Sequence, residues 1–333
     1  MLKNSRFKLR LPHAENCAAG AYGCDMTVNF SDPYYYLFPL MSGAFFVILY
    51  FILRRRSARV QSIVLFCLLA LNFALHFLKL LFPPYCDESY DVAMQKITAE
   101  NVCALNTMIF PFLFLKKGGA LRDYMFYIGT ISGIAACWLP MSIEDSVPFD
   151  FDCMRYYFCH TVLWVVPMLM VVLRLHRLDY RRIIFTPLIY ILVLVVIVFN
   201  EVALVAFGLD QAKYLLSVDH GNGGLAFGPY SDLEGTGVLN FLLLFVPPFF
   251  RPSAQNPYYA PALWQLGPVI ILGCPLGFLM CLYWEHRHFA SDVKSLFFKL
   301  KRLFTRYRFG RRKIKFNTRG ARPRGSVKFR RRG

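Results

Sequence analysis

Apolar residues along the chain are collected into long stretches, and seven of them approach the length of a membrane-spanning helix. A bilayer core of about 30 Å requires roughly 20 apolar residues in a helix. The seven stretches are 35–53, 60–82, 97–115, 122–140, 155–174, 183–208 and 262–284. An eighth run, FLLLFVPPFF at 241–250, contains two adjacent prolines and is too short to cross, so it predicts a re-entrant or surface-lying segment.

Composition agrees with this pattern. Hydrophobic residues make up 56% of the 333 residues, against about 45–50% in soluble domains. The sequence therefore predicts an all-α polytopic membrane protein with about seven transmembrane helices. The first 30 residues lack the apolar core of a cleavable signal peptide, so we expect the spans themselves to direct insertion.

The loops between the stretches alternate in charge, and this predicts their sides. RRRSAR follows the first span, KKGGALR the third, and four arginines the fifth, whereas PPYCDESYD and MSIEDSVPFDFD follow the second and fourth. Positive loops are retained on the cytoplasmic side. We therefore expect an outside N-terminus and a cytoplasmic C-terminus. The early basic residues of the N-terminal segment lie about 25 residues before the first span, beyond the range of this bias.

These features divide the chain into four parts. They are an extracytoplasmic segment (1–34), a seven-helix membrane domain (35–284) with a long outer loop (209–261), a basic amphipathic interfacial helix (285–309) and a disordered basic tail (310–333). The expected location is a membrane, and in a prokaryote the cell membrane. The sequence does not predict an oligomeric state.

Polar residues in four of the predicted spans fall at a similar depth in the outer leaflet. With a rise of 1.5 Å per residue, Cys103 lies roughly 9 Å below the outer end of its span and His160 roughly 8 Å below the end of another. The other members of this predicted layer are Asn72, His76, Asn101, Asn106, Asn200 and Glu201. Because polar groups in lipid usually face the bundle interior or a wet cavity, a common cavity is one interpretation. The other is interhelical hydrogen bonding, which contributes about 0.6 kcal/mol per bond.

A cysteine and a histidine on neighbouring helices are the minimum for thiolate chemistry. The imidazole accepts the proton, the thiolate attacks an acyl carbon, and a thioester divides the transfer into two steps. An amide of Asn101, Asn106 or Asn200 would stabilise the oxyanion. The aliphatic inner halves of the spans would hold acyl chains.

Four stretches of the chain resemble one family. TAENVCAL, TISGIAACWLP, DFDCMRYYFCHTVLWVVPMLMVV and FNEVAL are similar to segments of the YwaF-like integral membrane family, whose animal members include a transmembrane acyltransferase of ether phospholipids. The resemblance implies a Cys103 nucleophile assisted by His160, acting on lipid acyl groups. The family has a histidine two residues before the cysteine, where this chain has Asn101. If that histidine were the essential base, the chain would be inactive or act differently.

Other functions remain open at the level of sequence. His76 and His160 would serve as haem ligands, or as metal ligands with Cys103, although no span contains a tight ligand spacing. A transporter, a channel or a non-catalytic membrane protein would use the same polar layer, but no inverted repeat is visible. Acyl transfer through Cys103 requires no cofactor and no metal.

The outer loops carry four cysteines, and we expect Cys17 to pair with Cys24 and Cys86 with Cys153 if that compartment is oxidising. The long loop 209–261 is either a lid over the polar layer or a flexible connector.

The C-terminal region holds most of the net charge. From Glu285 onward there are 18 Lys and Arg residues against two acids, in a chain with net charge +18. Apolar residues of 291–309 share one helical face, as in interfacial helices that bind anionic lipid. The lipid-binding candidates are Lys299, Lys301, Arg302, Arg306 and Arg308. A nucleic acid is the less favoured partner because the tail is tethered close to a membrane span. A purely topological signal is the third interpretation.

Overall fold

The computed structural model describes residues 28, 32–116, 119–140, 147–210, 215, 224–229, 237–254 and 256–318, without the side chains of 238, 239 and 306–318. Its regular elements are all helical. The helices are α1 (Pro33–Leu53), α2 (Ala58–Leu78), α3 (Tyr90–Ile97), α4 (Val102–Leu115), α5 (Ala120–Tyr124), α6 (Thr130–Trp138), α7 (Phe151–Val172), α8 (Phe185–Ala206), α9 (Gly237–Leu243), α10 (Leu266–Pro268) and α11 (Cys274–Thr318). Short 3₁₀ turns lie at Lys79–Leu81, Tyr180–Arg182, Pro248–Phe250 and Leu263–Gln265, and π turns at Met125–Gly129 and Val269–Gly273.

Five helical segments of the described chain are long and apolar enough to cross a membrane, or six if one bent pair counts as a span. The five are Pro33–Leu53, Ala58–Leu81, Phe151–Val172, Phe185–Ala206 and Leu263–Thr305, and the pair is α3 with α4, bent by 54°. The predicted span 122–140 is helical as α5, a π turn and α6. The chain therefore has the all-helical architecture of a multi-pass membrane protein, with seven spans remaining a prediction.

Helix ends predicted on the cytoplasmic side meet in a network of ion pairs that the sequence analysis did not identify. Asp123 of α5 is fully buried, and its carboxylate accepts hydrogen bonds from His176 (2.7 Å) and Arg182 (2.6 Å). Burial opposes the charge of Arg182, but the hydrogen bond and attraction from Asp123 outweigh it and raise the pKa of this guanidinium. The network joins the loop after α7 to α5.

The same loop also holds the last helix. Glu285 of α11 accepts hydrogen bonds from Arg174 and Arg177 at 3.0 and 3.1 Å, and its hydrogen bond raises the pKa of Arg177. Glu285 has non-helical torsions (φ −121°, ψ 26°), so α11 is kinked where the predicted span ends and the predicted amphipathic helix begins. Beyond the kink α11 runs on to Thr318, past the expected helix end at residue 309.

The closest helix packing is between α6 and α7, and it depends on two glycines four residues apart. A Cβ atom at Gly129 would lie 2.6 Å from the Leu163 carbonyl oxygen, and one at Gly133 would lie 2.8 Å from that of His160. Small residues at this spacing allow membrane helices to approach backbone to backbone. The pair fixes α6 against the α7 turn that carries His160.

Part of the long outer loop is buried in the bundle. Gly224 lies beside Ile197 in the middle of α8 and beside the backbone of Asn101. The Leu225 carbonyl accepts hydrogen bonds from the Trp264 indole (2.8 Å) and the Gln265 amide (3.0 Å). Irregular backbone at membrane depth requires such partners within the protein. This contact with Asn101 agrees with a lid for segment 224–229, and much of the rest of the loop lies outside the described residues.

Two other expectations concern the outer loops. Cys86 is exposed, Cys153 is buried, and both are free thiols, so the expected pairing between them is not formed. Cys17 and Cys24 lie outside the described residues. The run 241–250 forms the end of α9 and a 3₁₀ turn, both far shorter than a span.

Replacement of either glycine of the α6–α7 contact should destabilise the protein. In Gly133→Ala the new methyl group meets the backbone of His160, and we expect a loss of about 1–3 kcal/mol in the free energy of unfolding, as for other overpacked sites. Chemical unfolding in detergent measures the loss. Gly43→Ala in α1 is the matched control, because no atom lies within 4 Å of its Cβ position and alanine favours a helix by about 0.5–1 kcal/mol. Equal stability of the two variants would contradict this packing.

Candidate functional site

Cys103 lies in the first turn of a helix that begins inside the bundle. The predicted span 97–115 is broken between α3 and α4, where Thr98 ends α3 and Asn101 caps α4. The Asn101 Oδ1 atom accepts a hydrogen bond from the Ala104 amide at 2.9 Å. Cys103 is the second residue of α4, so its backbone N–H is among the amides without an intrahelical partner.

His76 of α2 and Asn200 of α8, two of the predicted polar residues, bind the residues at this break. The His76 Nε2 atom donates to the Ile97 carbonyl at 3.0 Å, and the Asn200 amide donates to the Thr98 hydroxyl at 3.1 Å. Asn200 also donates to the buried carboxylate of Glu201. These side chains act as interhelical hydrogen-bond partners, and they support the unwound segment that precedes Cys103.

The immediate polar neighbours of Cys103 come from other helices. The Ser132 hydroxyl of α6 is adjacent to the thiol, and Cys137 and the hydroxyls of Tyr124 and Tyr190 are close enough to interact with it electrostatically. Sequence reasoning missed Ser132 and both tyrosines. Tyr190, which lies inside the predicted span 183–208, was the available signal, because a buried phenol hydroxyl usually needs a hydrogen-bond partner.

Asn106 is three residues after Cys103 on the same face of α4, and its amide is fixed in orientation. Its Oδ1 atom accepts a hydrogen bond from the Tyr124 hydroxyl at 2.8 Å. The Nδ2 group is buried and has no partner among the described residues. A buried donor on the same face of α4 as Cys103 is thus unoccupied, which is uncommon in folded proteins.

His160 lies on α7. Its backbone contacts Gly133 of α6, the residue that follows Ser132. The His160 Nδ1 atom is 2.8 Å from the Tyr156 carbonyl oxygen, and its ring packs on the Tyr156 ring with centroids 4.1 Å apart. A carbonyl only accepts, so Nδ1 carries the proton and Nε2 carries the lone pair. The His160 backbone contacts Gly133, and the preceding residue Ser132 is beside Cys103.

The remaining predicted residue, Asn72, is fully buried on α2. Its amide donates to the Cys159 carbonyl of α7 at 3.3 Å, and its Oδ1 atom has no partner among the described residues. In the described part of the chain no group of three or more His, Cys, Asp and Glu residues is arranged to hold a metal ion.

A second set of hydrogen bonds links the surroundings of Cys103 to segment 224–229. The Tyr190 hydroxyl donates to the Gln265 Oε1 atom at 2.9 Å, and the Gln265 amide donates to the carbonyls of Gly224 and Leu225. One glutamine therefore connects a phenol near the thiol with the covering loop.

Loss of the Asn101 cap should loosen the first turn of α4. Asn101→Ala removes the acceptor of the Ala104 amide, and the expected cost is about 1 kcal/mol of unfolding free energy. Hydrogen exchange at the amides of residues 102–105 should become faster. Asn101→Asp is the control because it retains a capping oxygen. Unchanged exchange in the alanine variant would show that the cap does not hold this turn.

A comparison of the chain with known protein families, curated proteins and solved structures finds no match, so the resemblance to the YwaF-like family stays a prediction.

Proposed function

We propose that the protein is a multi-pass membrane enzyme that transfers or hydrolyses lipid acyl groups through a thioester at Cys103. The observation that carries the proposal is the position of Cys103 in the first turn of α4, at the break in the span. The positive end of a helix dipole favours a thiolate there. A cysteine in the middle of a continuous span would lack this stabilisation.

His160 is proposed as the general base. Its Nδ1–H bond to the Tyr156 carbonyl leaves Nε2 as an acceptor, which is the tautomer that a base requires. The α6 residues Ser132 and Gly133 support its closeness to Cys103, because one neighbours the thiol and the other contacts the His160 backbone. Closure of the remaining distance on substrate binding is part of the proposal.

The unpartnered Nδ2 group of Asn106 is the proposed oxyanion donor, together with the Cys103 backbone N–H. Asn101 and Asn200 suit this role less well, because one caps α4 and the other is bonded to Thr98 and Glu201. Among the amides predicted from sequence, Asn106 alone combines burial, a fixed orientation and an unoccupied donor.

The reaction proceeds in two steps. The Cys103 thiolate attacks the carbonyl carbon of an acyl ester, a C–S bond forms, and the C–O bond breaks as the alcohol takes the proton from His160. An acceptor alcohol or water then gives its proton to His160 and attacks the thioester, which releases the thiolate. The acceptor determines whether the outcome is transfer or hydrolysis.

An alkyne-tagged acyl donor tests this mechanism in the purified protein. We expect a hydroxylamine-sensitive label on Cys103 that is chased by unlabelled acceptor lipid. Cys103→Ala should abolish the label, and His160→Ala should slow its formation by about 10²-fold or more, the range for loss of a general base. Cys67→Ala is the control because that thiol is exposed on α2, remote in sequence from the break. Wild-type turnover by the Cys103→Ala, His160→Ala double variant would exclude the mechanism.

A transporter is the second candidate, and the broken α3–α4 pair favours it because discontinuous helices form many substrate sites in transporters. Substrate flux into proteoliposomes that persists in Cys103→Ala would support this candidate over acyl transfer.

The helix beyond Glu285 is proposed to bind the anionic cytoplasmic leaflet. Its apolar face is exposed, with Phe297 at 65% and Phe304 at 72%, and Lys299, Lys301 and Arg302 are exposed around it. The side chains of Arg306 and Arg308 lie outside the described part. Each cation near such a leaflet contributes about 1 kcal/mol.

Hydrogen exchange tests the leaflet proposal in nanodiscs. Amides of residues 291–305 should be more protected when the discs contain phosphatidylserine than when they are zwitterionic, and the triple variant Lys299→Gln, Lys301→Gln, Arg302→Gln should lose the difference. Equal protection in both lipids would contradict the proposal, and protection by added RNA alone would favour the nucleic-acid alternative.

A further inference from the structure

Lys79 is a buried cation without a hydrogen-bonded anion. It follows α2 at the end predicted to face outward, and it is only 3% exposed. Its ammonium lies over the ring of Tyr85, 5.1 Å from the centroid. Among the described residues no carboxylate, carbonyl or hydroxyl oxygen accepts a hydrogen bond from it. Of the described part of the chain, this is the most buried lysine.

The carboxylates around Lys79 are already paired with other cations. Glu100 binds Lys96 at 3.1 Å, and Asp152 binds Arg155 at 2.5 Å. These four charges are the ones that act on Lys79, together with the imidazole of His76 one turn earlier. The positive charge of Lys79 is therefore in excess in this group.

Tyr85 brings a second cation to the same place. The Arg155 guanidinium lies 5.5 Å from the centroid of its ring and donates a hydrogen bond of 3.1 Å to its hydroxyl. Two cations thus contact one tyrosine ring. Attraction to a ring only partly replaces the hydration that a largely buried ammonium loses, and an anion bound here would complete the replacement.

The location links this point to the proposed reaction centre. Arg155 is one helical turn above Cys159 on α7 and five residues before His160. Asn72, two turns before Lys79 on α2, is hydrogen bonded to the Cys159 carbonyl. A ligand held by Lys79 and Arg155 would therefore lie outward of His160, where a lipid headgroup lies relative to its acyl esters.

We propose that Lys79, Arg155 and Tyr85 form a binding site for a phosphate group, which is either the phosphodiester of a lipid or free phosphate. Lys79 supplies the charge that is not yet neutralised, and Tyr85 aligns the two cations. Binding at this site does not require acyl transfer. Its assignment to the substrate rests on the proposed function.

Thermal stability in a phosphate-free maltoside detergent tests the site. The probes are a short-chain phosphatidylglycerol, its matched diacylglycerol without phosphate, and inorganic phosphate. We expect the phospholipid to raise the melting temperature of the wild type and the diacylglycerol to raise it much less. In Lys79→Met the apparent affinity for the phospholipid should fall about tenfold or more, as expected for loss of a charge-assisted hydrogen bond.

Two controls separate this site from general effects of charge and folding. Lys116→Met removes an exposed lysine at the opposite end of α4, leaves the pairs of Glu100 and Asp152 intact, and should retain most of the phospholipid response. Lys79→Met without ligand should melt at or above the wild-type temperature, because it removes an uncompensated buried charge. If Lys79→Met retains wild-type affinity for both phosphate probes, the site is excluded.

The other outcomes identify the ligand. A response to inorganic phosphate alone, lost in Lys79→Met, would support the site with free phosphate as its source. If Lys79→Met loses phospholipid binding but still forms the thioester at Cys103 as the wild type does, the site is supported and is separate from the reaction. Retained phospholipid binding in Cys103→Ala, lost only with Lys79→Met, would support the site even if acyl transfer fails.

Discussion

The dominant constraint on this molecule is the need to provide partners within the protein for polar groups placed at membrane depth. A continuous helix satisfies its own backbone, but the α3–α4 pair is broken and segment 224–229 is irregular. Side chains of neighbouring elements fill both gaps. His76 and Asn200 bind the residues at the break, and Trp264 and Gln265 bind the carbonyls of the irregular segment. The non-helical segments therefore depend on specific side chains of other helices.

The same constraint gives the candidate site its character. A break within a span creates a helix N-terminus among packed helices, and here the second residue of that helix is a cysteine. The close contact of α6 with α7 brings Ser132 and the turn of His160 to neighbouring positions. The hydroxyls of Ser132, Tyr124 and Tyr190 are neighbours of the thiol that were not predicted from the sequence. The chemistry proposed for Cys103 depends on the break more than on any single neighbour.

Sequence patterns predicted the all-helical class and the positions of most spans, because length and hydrophobicity alone decide those features. The helix break at Thr98–Asn101 was not predicted, since a capping asparagine inside an apolar run looks like any other polar residue in a span. The α6–α7 contact was also missed, although Gly129 and Gly133 have the spacing of a small-residue motif. His76 and Asn200 were grouped with Cys103 because they lie at a similar depth in the membrane. Depth does not say which way a side chain points around its helix, and both side chains bind residues at the break. Asp123 of α5 and Glu285 of α11 pair with the loop after α7, which is far from both in sequence, so no local pattern indicates these ion pairs.

The last candidate span begins at Leu263, and this affects how a molecule from the bilayer would reach the interior. Gln265, at the start of this crossing, bonds Tyr190, and α8 continues for roughly 24 Å beyond Tyr190. Within that height segment 224–229 lies beside α8, and Trp264 and Gln265 hold its carbonyls by hydrogen bonds worth about 1 kcal/mol each. Displacement of segment 224–229 would therefore break a few hydrogen bonds, whereas entry between α6 and α7 would require two helices in backbone contact to separate.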